Sequence, residues 1–177
     1  MLLKLDFAKA FDTIEHDIIL KILQYKGFDD RWIGWVKMLL SSGSSSVLLN
    51  GIPGNHFHCK RGVRQGDPLS PLLFVLAADL LQSVVNRMCA DGHLTLPIPN
   101  NPDFPIVQYA DDTLLVMPAC VTQLLALKDM LGTFVASTGL HVNYSKSQLI
   151  PLNVPESSVS GLAAALGRSV GACPSLT

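Results

Sequence analysis

Hydrophobic positions change their period several times along this chain, and each change marks an element. Residues 2–7 form a short, mostly apolar run, the pattern of a buried strand. From Asp17 the spacing turns helical. Ile18, Ile19, Ile22 and Leu23 share one face, Asp17 is placed to cap it, and Gly27 ends it. A second helix is predicted over about 29–40, with Trp32, Trp35, Val36 and Leu39 on its apolar side. Residues 41–46 break the pattern, and 47–50 with 57–60 read as a hairpin around Gly51-Ile52-Pro53-Gly54. Pro68 opens a long helix reaching about Ala90, and residues 94–105 are a loop rich in proline and asparagine. Two apolar strands, 106–108 and 113–117, flank Tyr109-Ala110-Asp111-Asp112. A helix over about 122–137 ends at Gly139, and 147–150 reads as a last strand. In the Ser-, Gly- and Ala-rich tail, 159–166 can form a short helix. This order predicts an α+β fold with helices on one face of an antiparallel sheet.

Composition narrows the class. In 177 residues, 49% are hydrophobic and 15% charged, which suits one folded domain rather than a disordered chain. The net charge of -1 supplies no positive field to recruit nucleic acid, so weak nucleic-acid binding by the chain alone is expected. The four cysteines form no CxxC pair and read as small core residues in a reducing compartment. The longest apolar stretch, 71–85, contains Asp79 and Gln82 and reads as too short to span a bilayer. The expectation is a soluble intracellular protein of nucleus or cytoplasm, with no membrane partner.

Three motifs carry chemistry. In Tyr109-Ala110-Asp111-Asp112, two adjacent carboxylates occupy a tight turn between apolar strands. Such neighbours repel unless a cation offsets them, and magnesium favours one or two carboxylates together with phosphate oxygens. A solvated Asp-Asp turn is the bland alternative. Asp6 stands near the end of the first apolar strand, and a strand beside the Asp111 hairpin would make three carboxylates converge on two metals. In Arg61-Gly62-Val63-Arg64-Gln65-Gly66-Asp67-Pro68, glycines allow close approach and arginines can meet phosphates. The helix opened by Pro68 also favours anions, while a plain hairpin-to-helix turn is the bland alternative. His56 and His58 share a strand face, but no second cluster completes four zinc ligands.

Together these segments resemble the reverse transcriptases of non-LTR, LINE-type retrotransposons. Leu5-Asp6-Phe7-x-Lys9-Ala10-Phe11-Asp12 resembles motif A, and Arg64-Gln65-Gly66-Asp67-Pro68-Leu69-Ser70-Pro71 resembles motif B. Tyr109-Ala110-Asp111-Asp112 resembles motif C, and Gly139-Leu140-x-x-Asn143-x-x-Lys146-Ser147 resembles motif D. The style of the spacer suggests a plant element. The resemblance implies a palm over 1–154, then an extension over 155–177 before a primer-grip hairpin, with fingers and thumb missing. It implies two Mg2+ ions held by Asp6 and Asp111, with Asp112 contributing less directly. Phe7 would offer its backbone to the triphosphate or metal, and Phe11 would exclude a ribose 2′-hydroxyl. Arg64 would meet phosphate, Gln65 and Gly66 would line the nascent base pair, and Lys146 would protonate the departing pyrophosphate. The implied partners are an RNA template, a DNA primer and deoxynucleoside triphosphates.

Five residues precede Asp6, where the family carries fingers, so an isolated chain is expected to be inactive. The alternatives are an RNA-directed DNA polymerase piece and a non-catalytic remnant of a retroelement. A viral RNA-dependent RNA polymerase palm fits less well, since those palms usually carry Gly-Asp-Asp and lack an aromatic at the place of Phe11.

Overall fold

The computed structural model describes residues 1–95, 106–109 and 112–167. The predicted loop over 94–105 lies outside these residues from position 96 onward, and so do Ala110, Asp111 and Cys173. The chain divides into two compact units: Met1–Ala8 with Ala78–Thr177, and Lys9–Ala77.

The first unit is built on a four-stranded sheet with the order β6-β7-β1-β8. Here β1 is Leu2–Asp6, β6 is Ile106–Tyr109, β7 is Asp112–Val116 and β8 is Gln148–Ile150. Every neighbouring pair is antiparallel. Strict alternation sorts the side chains of the two central strands. Leu3, Leu5 and Leu115 are fully buried and Thr113 nearly so, whereas Lys4, Asp6, Asp112 and Leu114 lie on the opposite face. Helix α5 (Val121–Thr138) buries Leu124, Leu127, Leu131 and Phe134, and Gly139 ends it in the left-handed conformation, as its sequence predicted. The Phe134 ring lies 6.4 Å from that of Phe7, just beyond β1, which ties the helix to the buried face of the sheet. Helix α6 (Glu156–Leu166) begins three residues before the predicted 159–166 and packs on α5.

The second unit holds α1 (Ala10–Thr13), α2 (His16–Tyr25), α3 (Asp30–Ser41) and two small hairpins. Several expectations are corrected here. Asp17 sits in the first turn of α2, and Glu15 takes the cap position without a side-chain bond. On α3 the buried stripe is Val36 and Leu40, while Trp35 and Leu39 are exposed. The sequence offered two apolar stripes about one residue apart, and only one can face a core. The predicted pairing of 47–50 with 57–60 is replaced. Strand β2 (Ser44–Ser45) pairs with β5 (Phe57–His58), and β3 (Leu48–Leu49) pairs with β4 (Ile52–Pro53). Asn50 and Gly51, both at positive φ (51° and 82°), make the two-residue turn between β3 and β4. An Asn-Gly pair favours that turn because its twist matches the strands.

Helix α4 (Ser70–Ala90) belongs to both units and starts two residues after Pro68. It has 21 residues, more than the apolar run seen in sequence, and is long and apolar enough to cross a membrane by length and composition only. Core helices pass the same test, and Leu73, Phe74, Ala77, Leu81, Val85 and Met88 are buried along this one at helical spacing.

Candidate active site

The motif A carboxylate is placed by strand register. Asp6 pairs with Asp112 at the end of β1 and β7, and Asp112 also pairs with Tyr109. The next bridge, Phe7 with Val142, is framed by two bonds: Asn143 N–H to the Asp6 carbonyl at 2.7 Å, and Ala8 N–H to the His141 carbonyl at 2.8 Å. Asp6 therefore turns its own N–H and C=O toward the Val142 side, and the Asp6–Asp112 pair is the non-hydrogen-bonded kind. Side chains in such pairs stand on one face with Cα atoms about 4.5 Å apart. Two carboxylates thus share the open face of the sheet. Asp111, the other motif C carboxylate, lies outside the described residues.

A cation already meets one of the two. Lys4, two residues before Asp6 on the same face, places its Nζ 3.0 Å from the Asp112 carboxylate. Both side chains are exposed enough for solvent to screen the attraction, so the bond orients more than it stabilises. Sequence reasoning passed over Lys4; the i, i+2 spacing in a strand was its signal.

Phe7 buries its ring, at 6% exposure, and its own N–H and C=O point away from Val142. Lys146 is exposed and sits in the turn before β8; its N–H donates to the Asn143 carbonyl at 3.1 Å. The turn is closed by Ser147 N–H to the same carbonyl at 2.9 Å.

The motif B segment lies in the other unit and is tied to residues 11–16. Val63 N–H donates to the Phe11 carbonyl at 2.6 Å, and Gly62 N–H to the Ile14 carbonyl at 2.7 Å. The His16 imidazole Nε2 meets the Gly62 carbonyl at 2.8 Å. Gly62 has φ +80°, and a Cβ there would come within 2.7 Å of the Asp12 carbonyl oxygen. Only glycine fits without displacement. Asp12, the last acid of the motif A segment, accepts a hydrogen bond from Gln65 Nε2 at 3.1 Å. Arg64, Gln65 and Gly66 are exposed, and Gly66 has φ +89° with open space where a Cβ would be. A cavity of about 500 Å³ is lined by Asp12, Arg61, Arg64, Gln65, Asp67 and Ser70 among others. The Phe11 ring is half-buried and stacked on Phe74 at 4.5 Å. The anion site expected at the start of α4 is shared with a protein carboxylate, since Asp67 accepts the Leu69 N–H at 2.9 Å.

His56 and His58 are exposed, and among the described residues no group of three or more metal-binding side chains gathers. Cys59, Cys89 and Cys120 are half-buried rather than core residues.

Comparison with known proteins bears on this geometry. The model of the family described as reverse transcriptase (RNA-dependent DNA polymerase) matches residues 1–158. The chain is 32% identical over 147 residues to a retrovirus-related Pol polyprotein from type-1 retrotransposable element R2 of Popillia japonica, covering 81% of this chain and 20% of that protein. It is 31% identical over 147 residues to the transposon TX1 uncharacterized 149 kDa protein of Xenopus laevis, covering 82% of this chain and 11% of the relative. A shorter match, 40% over 68 residues, is to an uncharacterized mitochondrial protein of Arabidopsis thaliana and covers 37% of this chain and 56% of that protein. Relatives in a beetle, a frog and a plant do not support a plant element in particular. The fold is similar to that of apo telomerase from Candida tropicalis truncated from its C-terminal domain, with TM-score 0.64 at 16% identity over 88% of this chain and 31% of that one. The chain thus spans about a fifth or less of the retrotransposon proteins it matches.

Proposed function

Because this chain belongs to the reverse transcriptase family, in its non-LTR retrotransposon branch, we propose that it is the nucleotidyl-transfer part of an RNA-directed DNA polymerase. The observation that carries this reading is the register that sets Asp6 opposite Asp112 on the open face of the central strands. In this reading residues 1–154 are the palm and 155–177 an extension beyond it.

The residues suit a divalent cation. Two carboxylates share one open face, and Asp112 already takes a cationic partner in Lys4. Asp6 and Asp111 would hold the two magnesium ions, with Asp112 contributing less directly. Magnesium, when bound, supplies the positive charge that makes the primer 3′-hydroxyl a nucleophile and offsets charge on the phosphates. The chain does the rest by position. The Phe7 backbone meets the triphosphate, and Arg64 meets phosphate oxygens. Gln65 and Gly66 line the nascent base pair where Gly66 leaves open space. Phe11 closes the volume that a 2′-hydroxyl would need. Lys146, exposed in its turn, gives a proton to the departing pyrophosphate.

The partners are then an RNA template, a DNA primer and deoxynucleoside triphosphates. With a net charge of -1, the chain alone binds primer-template weakly at physiological salt; submicromolar binding by fluorescence anisotropy would contradict this. Activity is tested with the chain fused between the flanking segments of an R2-type relative, by primer extension on RNA with magnesium. Extension lost in Asp6→Ala and in Asp111→Ala supports the reading. No extension leaves a non-catalytic remnant, and extension that survives Asp6→Ala overturns the role given to Asp6.

A further inference from the structure

The backbone of Asp6 is held where the sheet ladder breaks. Strand β8 pairs with β1 in steady register from Leu2 opposite Ile150 to Lys4 opposite Gln148. Continued, that register would set Lys146 opposite Asp6. It does not continue: the next bridge is Phe7 with Val142, so three extra residues are looped out as the turn that carries Lys146. Across this gap the Ser147 hydroxyl replaces the ladder. Its Oγ accepts the Asp6 N–H at 3.2 Å and donates to the Asn143 carbonyl at 2.9 Å. The Asn143 N–H in turn donates to the Asp6 carbonyl at 2.7 Å. Ser147 is 4% exposed, so water does not substitute easily for its hydroxyl.

We infer that Ser147 is a positioning residue for Asp6: its hydroxyl fixes the peptide that carries the metal-holding carboxylate, from the same turn that presents Lys146. This rests on the reading of Asp6 as a metal ligand. A carboxylate that must meet an ion is held by its backbone as well as by its rotamer. Here both polar groups of the Asp6 backbone are bound to one turn, one of them through a side chain that mutation can remove. Loss of an outer partner of this kind weakens a metal site by about tenfold to a hundredfold.

The test uses Mn2+ as the probe, titrated into the purified chain and followed by the free-ion EPR signal, with exchange of the Asp6 amide proton followed by NMR. Ser147→Ala is expected to weaken Asp6-dependent Mn2+ binding by about tenfold or more and to speed exchange at Asp6. Ser147→Thr, which keeps the hydroxyl, is expected to restore both. A packing role alone would lower thermal stability and leave the affinity of the folded protein unchanged. Should Ser147→Ala not fold, Ser147→Cys keeps the size with a poor acceptor; binding weaker than in Ser147→Thr supports the role, and equal binding overturns it. If Asp6→Ala abolishes binding while Ser147→Ala matches the unmodified chain, the positioning role is wrong and the metal reading stands. If the unmodified chain shows no Asp6-dependent binding, the metal reading falls and the role falls with it.

Discussion

Gly62→Ala should destabilise this protein more than Gly66→Ala, although both glycines sit in the same loop at positive φ. The two positions share one cost and differ in another. An alanine in the left-handed region costs about 1–2 kcal/mol against glycine. At Gly66, with φ +89° and nothing within 4 Å of the added methyl, that is the whole cost. At Gly62 the methyl would also stand 2.7 Å from the Asp12 carbonyl oxygen and 2.8 Å from its carbonyl carbon and Cα. Those are backbone atoms, and the segment cannot yield cheaply. Val63 N–H to Phe11, Gly62 N–H to Ile14 and the His16 imidazole all bind across the same seam, at 2.6, 2.7 and 2.8 Å. Overpacking of this kind adds about 1–3 kcal/mol. The sum is about 2–5 kcal/mol for Gly62→Ala and about 1–2 for Gly66→Ala. In urea, with a slope of about 2 kcal/mol per molar, the midpoint should fall by about 1–2.5 M for the first and about 0.5–1 M for the second. Equal shifts, or a larger one at Gly66, would refute the argument that motif B is clamped to the Phe11–His16 segment.

Sugar selection and thiol chemistry give two further predictions. In the active fusion, Phe11→Val should raise ribonucleotide incorporation relative to deoxynucleotide, while removing part of a ring stacked at 4.5 Å on Phe74 costs stability as well. An unchanged ratio of the two kcat/KM values would leave Phe11 a packing residue. The Thr122 hydroxyl, 3.0 Å from Cys120 Sγ, holds that thiol below its ordinary value, and burial pushes the Cys89 thiol up. Iodoacetamide at mildly alkaline pH should therefore alkylate Cys120 before Cys89, as peptide mapping would read; the reverse order would contradict it.

What could be read from sequence divides along physical lines. β1, the β6–β7 pair, α5 with its Gly139 stop and β8 were legible because alternation or helical period coincided with punctuation by Gly or Asp. The meeting of Asp6 with the motif C strand was legible too, as a consequence of family order, although its register was not. The pairing of Ser44–Ser45 with Phe57–His58 was illegible, since two exposed serines carry no hydrophobic pattern. The Asn50-Gly51 turn had a clear signal that the nearby Pro53-Gly54 masked. On α3, Trp35 and Leu39 looked as fit for the core as Val36 and Leu40, and only tertiary packing chose between them. The Ser147 bond to Asp6 spans 141 residues, and a contact between side chain and backbone at that range leaves no trace in local composition.

The central claim is that Asp6 and Asp111 hold the metal ions of a nucleotidyl-transfer site. The most direct measurement is a crystal structure of this chain soaked with Mn2+ and read by anomalous scattering. Two peaks about 4 Å apart are expected, both bonded to the Asp6 and Asp111 carboxylates, on the face where Asp6 stands opposite Asp112. Carboxylates of Asp6 and Asp111 more than about 10 Å apart, beyond any shared two-ion site, would contradict it, as would peaks that avoid Asp6.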